Sequence, residues 1–161
     1  MAPQAVVAFA QQLSDARDLD EIARIVRRAA RQLTGADGAT FILREGPFCF
    51  YADKDAIAPM WKGHRFPLGA CISGWSMLNR AEAIIENIYD DPRIPLDAYR
   101  PTFVKSLAMV PIRVESPIGA IGNYWATPHR ASEDELQLLR ALAERVAIAM
   151  EKVPQLVMPV N

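Results

Sequence analysis

At 161 residues, 51% hydrophobic and 23% charged, the chain has the makeup of one globular domain with a single core and lacks the low-apolar, high-charge signature of disorder. A net charge of −1 leaves no basic field to collect phosphates, which excludes nucleic acid or an anionic membrane surface as the expected partner. No apolar run approaches the roughly 20 residues of a membrane span and no leader pattern opens the chain, so a cytoplasmic location is expected.

Val6, Phe9, Ala10 and Leu13 recur at helical spacing and predict a first short helix. A second is predicted from Asp18 to Thr34. Asp18 caps it, Glu21 stands three residues on as in a capping box, and Leu19, Ile22, Val26, Ala29 and Leu33 repeat at threes and fours before Gly35 stops it. The period then changes to two. Ala39 to Arg44, the turn Glu45-Gly46-Pro47 and Phe48 to Ala52 predict a β-hairpin. Arg65 to Leu68 predicts a strand, Ile72 to Leu78 a short helix, and Ala83 to Glu86 an edge strand. Asp90 to Pro95 is turn chemistry, and a brief helix is expected over about Asp97 to Lys105, with Pro101 tolerable only near a break. Ser106 to Val114 and Ile118 to Ala126 suit a pleated sheet, and the short link Glu115-Ser116-Pro117 makes them antiparallel neighbours.

Ser132-Glu133-Asp134-Glu135 is a capping box that opens the last helix. Along it Leu136, Leu139, Ala143, Val146, Met150 and Val153 form a heptad seam, which Leu138, Leu142 and Ala149 widen. This double stripe has two readings. It is one broad face packed on a sheet, or its Leu136, Leu139, Ala143, Val146 and Met150 seam meets the same helix of a second subunit, joined there by Val6, Phe9 and Leu13.

Phe66-Pro67-Leu68-Gly69 with Gly74-Trp75, then Met109-Val110-Pro111-Ile112, Pro117-Ile118-Gly119-Ala120-Ile121 and Ser132-Glu133-Asp134-Glu135-Leu136 follow one another at separations that resemble a GAF domain. The likeness runs from about Leu19 to Lys152, and Tyr99 to Leu107 resembles the form found in GAF modules of bacterial sensor histidine kinases. The resemblance implies an α+β fold related to PAS: a central antiparallel sheet of five to six strands, the N- and C-terminal helices on one face, and loops and short helices over a pocket on the other. Residues 1–153 would form this sensor domain and 154–161 a linker or tail.

The long connection between Asp53 and Pro101 would roof the pocket. The expected ligand-binding residues are Tyr51, Trp61, Phe66, Trp75, Tyr99, Phe103, Met109 and Tyr124, an apolar, aromatic set that suits a small organic molecule and equally suits a closed mini-core. Arg65, Arg100, Lys105 and Asn123 are the polar groups that would orient a ligand or simply face solvent.

Specialised GAF chemistry is checked residue by residue. Bilin-binding members attach the chromophore through a cysteine, typically beside a histidine, before the Val-Pro-Ile strand; Pro95 to Lys105 holds neither, so no covalent bilin is expected and the cofactor stays unassigned. The free methionine sulfoxide reductases need a Gly-x-Cys-Gly turn and a later cysteine, whereas Ser73 precedes Gly74 here. In the cyclic-nucleotide pattern a phenylalanine would stand at Arg130. His64 and His129 lack a second ligand at haem spacing. Cys49 and Cys71 fit no metal box and read as small packed side chains; Cys71, near a helix start, has a second reading as a reactive thiol.

The resulting expectation is a non-enzymatic signal-input module. It binds an unidentified small molecule, forms a homodimer, and passes the change to an output domain such as a histidine kinase in a two-component system. A ligand-free dimerisation or interaction domain is the alternative, and an enzyme like the sulfoxide reductases a third.

Overall fold

The computed structural model describes residues 3–56 and 60–153; the expected linker or tail at 154–161 lies outside the described residues. Two helices come first, α1 (Gln4–Ser14) and α2 (Leu19–Thr34). Asp18 caps α2 by accepting from the Glu21 amide at 2.9 Å, and Gly35 ends it in the left-handed conformation, φ 68°. The Glu21 carboxylate does not turn back to Asp18 as a capping box requires. It accepts instead from the Arg17 amide and guanidinium, both at 2.9 Å.

The hairpin forms as β1 (Gly38–Glu45) and β2 (Phe48–Ala56) about Gly46, and the strand at Arg65–Pro67 is β3. A single 3-10 turn at Leu68–Ala70 leads into α3 (Ile72–Asn79), followed by β4 (Ala83–Ile85) and a second 3-10 turn at Ile88–Asp90. The next helix, α4 (Leu96–Tyr99), is shorter than the expected span to Lys105. Pro101 lacks the amide that would continue it, and by Lys105 the chain is already in the sheet, its amide donating to the Trp125 carbonyl at 2.8 Å. β5 (Ser106–Ile112), β6 (Gly119–Trp125) and α5 (Glu133–Lys152) are the last elements among the described residues.

Six strands pair in the order β3-β2-β1-β6-β5-β4, every neighbour antiparallel. The two hairpins meet along β1–β6, so the sheet centre joins the two halves of the sequence. Period-two alternation then sorts side chains between faces. Ala39, Phe41, Ala108, Val110, Ile112, Ile121 and Trp125 face α1, α2 and α5 in one core, while Ile42, Cys49, Tyr51, Leu107, Met109, Ala120 and Tyr124 face α3 and the loops in another.

This packing places the residues of the expected intersubunit seam inside one subunit. Leu136, Leu139, Ala143, Val146 and Met150 are at most 4% exposed and lie in the subunit's own helical core, as does Leu13 on α1, where Val6 is buried too. α2 and α5 pack on one sheet face and α1 packs against both of them, so α5 has α1 and α2 beside it as well as the sheet below, and a broad apolar face is consumed within one chain. No helix among the described residues is long and apolar enough to cross a membrane.

Candidate functional site

The sheet face opposite the terminal helices supplies the floor of the site. On β6, Gly122 and Tyr124 point the same way, and a Cβ on Gly122 would strike the Tyr124 hydroxyl. Its absence lets that hydroxyl reach Thr40 Oγ1 at 2.8 Å on β1. Tyr51 rises from β2, its hydroxyl 3.2 Å from Ser73 Oγ on α3.

Trp61 is the roof. Its backbone carbonyl accepts from the His64 amide in a tight turn, where Gly63 adopts φ 85°, a region that favours glycine. The His64 carbonyl and Gly63 amide then bond across to the Tyr51 backbone, which seats the indole over the Tyr51 ring. Trp61 Nε1 donates to the Ala98 carbonyl at 3.1 Å, and the indole packs against Tyr51, Tyr99 and Tyr124 with ring centroids 5.5, 4.7 and 5.5 Å away. Phe66 meets the other edge of Tyr51 at 5.5 Å. Tilted and edge-to-face contacts of this kind stabilise beyond the area they bury.

Little space remains inside. The void among Tyr51, Trp61, Phe66, Cys71 and Tyr99 is about 10 Å³, room for about one water molecule. One polar group is nonetheless stranded there: the Tyr99 hydroxyl is buried without a hydrogen-bond partner. Burial pushes the ionisations of Tyr51, Tyr99 and Tyr124 up; repulsion from neighbouring tyrosines adds to it at Tyr51 and Tyr99, whereas the bond to Thr40 opposes it at Tyr124. Two larger concavities, of about 540 and 660 Å³, are surface grooves along α5 with charged rims that include Arg113.

Below the aromatic rings lie the two cysteines. Cys49 on β2 and Cys71, the N-cap of α3, bring their sulfurs to 3.2 Å. Cys71 Sγ accepts from the Gly74 amide at 3.4 Å and lies 3.4 Å from Ser73 Oγ. The Cys49 thiol, then the Ser73 hydroxyl and the helix-start amides, hold the Cys71 thiol below its ordinary range against the opposing effect of burial. Cys49 moves the other way, keeping its proton beside Cys71 in a buried place.

Of the eight expected pocket residues, Tyr51, Trp61, Phe66 and Tyr99 line the void, Tyr124 touches Trp61, and Met109 lies in the same core. Trp75, half-buried against the same core, stacks under the Arg93 guanidinium at 4.2 Å, and Phe103, also packed on that core, lies against Gly38. The four polar candidates lie elsewhere. Arg65 pairs with Glu45 over Phe50, exposed Arg100 pairs with Asp97, and exposed Lys105 lies over Tyr89. Asn123 points to the helical face, where it donates to the Ala30 carbonyl at 2.9 Å. Neither histidine enters the site: His64 is exposed, and His129 bonds Glu135 at 2.8 Å beside Trp125. Cys49, Ser73 and Thr40 were not expected in the site. Cys49 carries a signal that points there, since it stands two residues before Tyr51 on one strand and so shares its face.

The family model described as GAF domain matches residues 16–151. The chain belongs to the GAF family. Solved structures of similar fold include the GAF domains of the phosphoenolpyruvate-protein phosphotransferases from Acinetobacter (TM-score 0.79, 15% identity, 94% of this chain and 95% of that one covered) and Coxiella burnetii (TM-score 0.81, 14% identity, 92% and 91% covered). Free methionine-R-sulfoxide reductase from Neisseria meningitidis, in complex with its substrate, is also similar (TM-score 0.78, 15% identity, 92% and 87% covered). No curated protein matches the chain. As a GAF domain it has the α+β architecture of a regulatory, small-molecule-sensing module.

Proposed function

We propose that this GAF domain is a sensor input in which a small molecule enters the aromatic site and the resulting change passes through the sheet to α1, α2 and α5, and from them to an output domain such as a histidine kinase. The stranded Tyr99 hydroxyl carries the reading. Leaving a buried hydroxyl unpaired costs about 1–3 kcal/mol, a cost that a ligand with a hydrogen-bond acceptor would remove. Because the void is so small, uptake requires the roof at Trp61 to lift, and a ligand that binds only the lifted form gives the two-state difference that signalling needs. The domain acts by binding, without turnover, inside the cell.

The small void also favours a second reading, an interaction module that binds nothing there and associates with a second copy or a partner protein. With the α5 seam turned inward, such contacts would use the exposed side chains of α1 and α5, Val7 and Ile148 among them. A thermal-shift screen with purines, cyclic nucleotides, amino acids, bilins and haem, run on the wild-type chain and on Tyr99→Phe, separates the two. Under the sensor reading one class raises Tm in the wild type and much less in Tyr99→Phe, while apo Tyr99→Phe is as stable as the wild type or more so. Silence across the panel, with light scattering showing association at tens of micromolar, would instead establish the interaction module.

A further inference from the structure

We infer that Cys49 and Cys71 are a peroxide-reactive dithiol, with Cys71 the thiol that attacks a small hydroperoxide and Cys49 the thiol that resolves it to a disulfide within the subunit. The geometry supplies each part. The sulfurs are already 3.2 Å apart, so closing to a disulfide bond of about 2.0 Å takes roughly one ångström of side-chain rotation. Cys71 is the sulfur that receives the helix-start amide of Gly74, and Cys49 is enclosed by β2 with no exposure at all. Cys71 also borders the void, which has room for a molecule of about the size of water and none for an organic ligand. Tyr99 lines the same void, and its hydroxyl, buried and unpaired, is a donor for a peroxide oxygen, while the Ser73 hydroxyl stays on the Cys71 sulfur. The lowered ionisation of Cys71 agrees with its role as the attacking thiolate.

The chemistry balances with the hydroperoxide as oxidant. The Cys71 thiolate attacks one oxygen of hydrogen peroxide; the O–O bond breaks, an S–O bond forms as a sulfenic acid, and the departing oxygen takes up a proton as water. The Cys49 sulfur then gives up its proton and attacks the Cys71 sulfur. The S–O bond breaks, hydroxide leaves with that proton as water, and the S–S bond forms. Two thiols have lost two electrons and two protons, and the peroxide has gained them. The disulfide would tie the floor of the site on β2 to the N-cap of α3.

This inference stands apart from the sensor reading, because a silent ligand screen leaves it intact and an organic ligand bound over inert thiols removes it alone. The test treats the reduced full chain with a modest excess of hydrogen peroxide, then counts thiols after denaturation and maps peptides without reduction. The expected result is loss of both thiols, a mass decrease of two hydrogens, and a Cys49–Cys71 peptide from single chains, all reversed by dithiothreitol. Cys49→Ser should trap a dimedone adduct on Cys71, and Cys71→Ser should slow oxidation by an order of magnitude or more. Two free thiols in the treated wild type, or a disulfide joining two chains, would overturn the proposal, and that wild-type result does not depend on either variant folding.

Discussion

Glu135 shows how one side chain carries several jobs at a helix start. Its carboxylate accepts from the Ser132 amide at 2.8 Å and contacts His129 Nε2 at 2.8 Å, while its own amide bonds Ser132 Oγ at 3.1 Å. Burial raises its ionisation, but the Ser132 amide and His129 outweigh that and hold it below the usual carboxylate range. A depressed carboxylate contributes stability that is complete above its unfolded value of about 4.3 and is lost as pH falls through the lower folded value. Glu135→Gln should therefore cost about 1 kcal/mol at neutral pH, and its penalty should shrink in acid below pH ~4. Denaturant titrations at both pH values check this; an equal penalty at both would mean the charge is irrelevant. The box was legible from Ser132 and Glu135 because capping is a local bond over three residues. The Glu21 exchange with Arg17 was not, since an N-terminal neighbour competed for the same carboxylate.

At the scale of elements, α5 is where pattern and packing part. A heptad seam has the same spacing whether a sheet, a sister helix or a second subunit lies opposite. Here Leu139 has no exposure and sits in the helical core. Leu139→Ala should destabilise the monomer by about 3 kcal/mol, seen in denaturant unfolding, and leave the association state by light scattering unchanged. A near-neutral stability change with a loss of association would restore the seam to an interface. The strands and hairpins were readable because alternation and turn residues act within a few positions. The shortened α4 and the two 3-10 turns were not, because competing hydrogen bonds from distant carbonyls, such as that of Trp125 to Lys105, decide where the chain leaves the helix.

Across the whole molecule the two faces of the sheet differ in how they are held. The helical side is closed by α2 and α5, 16 and 20 residues long, with α1 packed against both, whereas the other is roofed by the eight-residue α3, the four-residue α4 and the loops beside them. Short elements outside long ladders open at lower cost. In native-state hydrogen exchange, the Trp61, Gly63, His64, Ala98 and Arg100 amides should be protected at least an order of magnitude less than those of β1, β6 and mid-α5. Uniform protection would mean that the roof does not lift short of global unfolding, and the sensor reading would lose its entry route.

The order of elements, the two hairpins and the caps at Asp18 and Ser132 follow from the sequence alone, because periodicity, turn chemistry and capping are properties of neighbouring residues. Only the tertiary structure decided that the α5 seam residues pack within the subunit, that Asn123 serves the helices, and that Trp75 stacks with Arg93. It also brought Cys49, 22 residues away in sequence, to Cys71. Which partner a side chain meets depends on how the two hairpins join at β1–β6 and how α2 and α5 divide one face beneath α1, and neither is written into any local stretch of the chain.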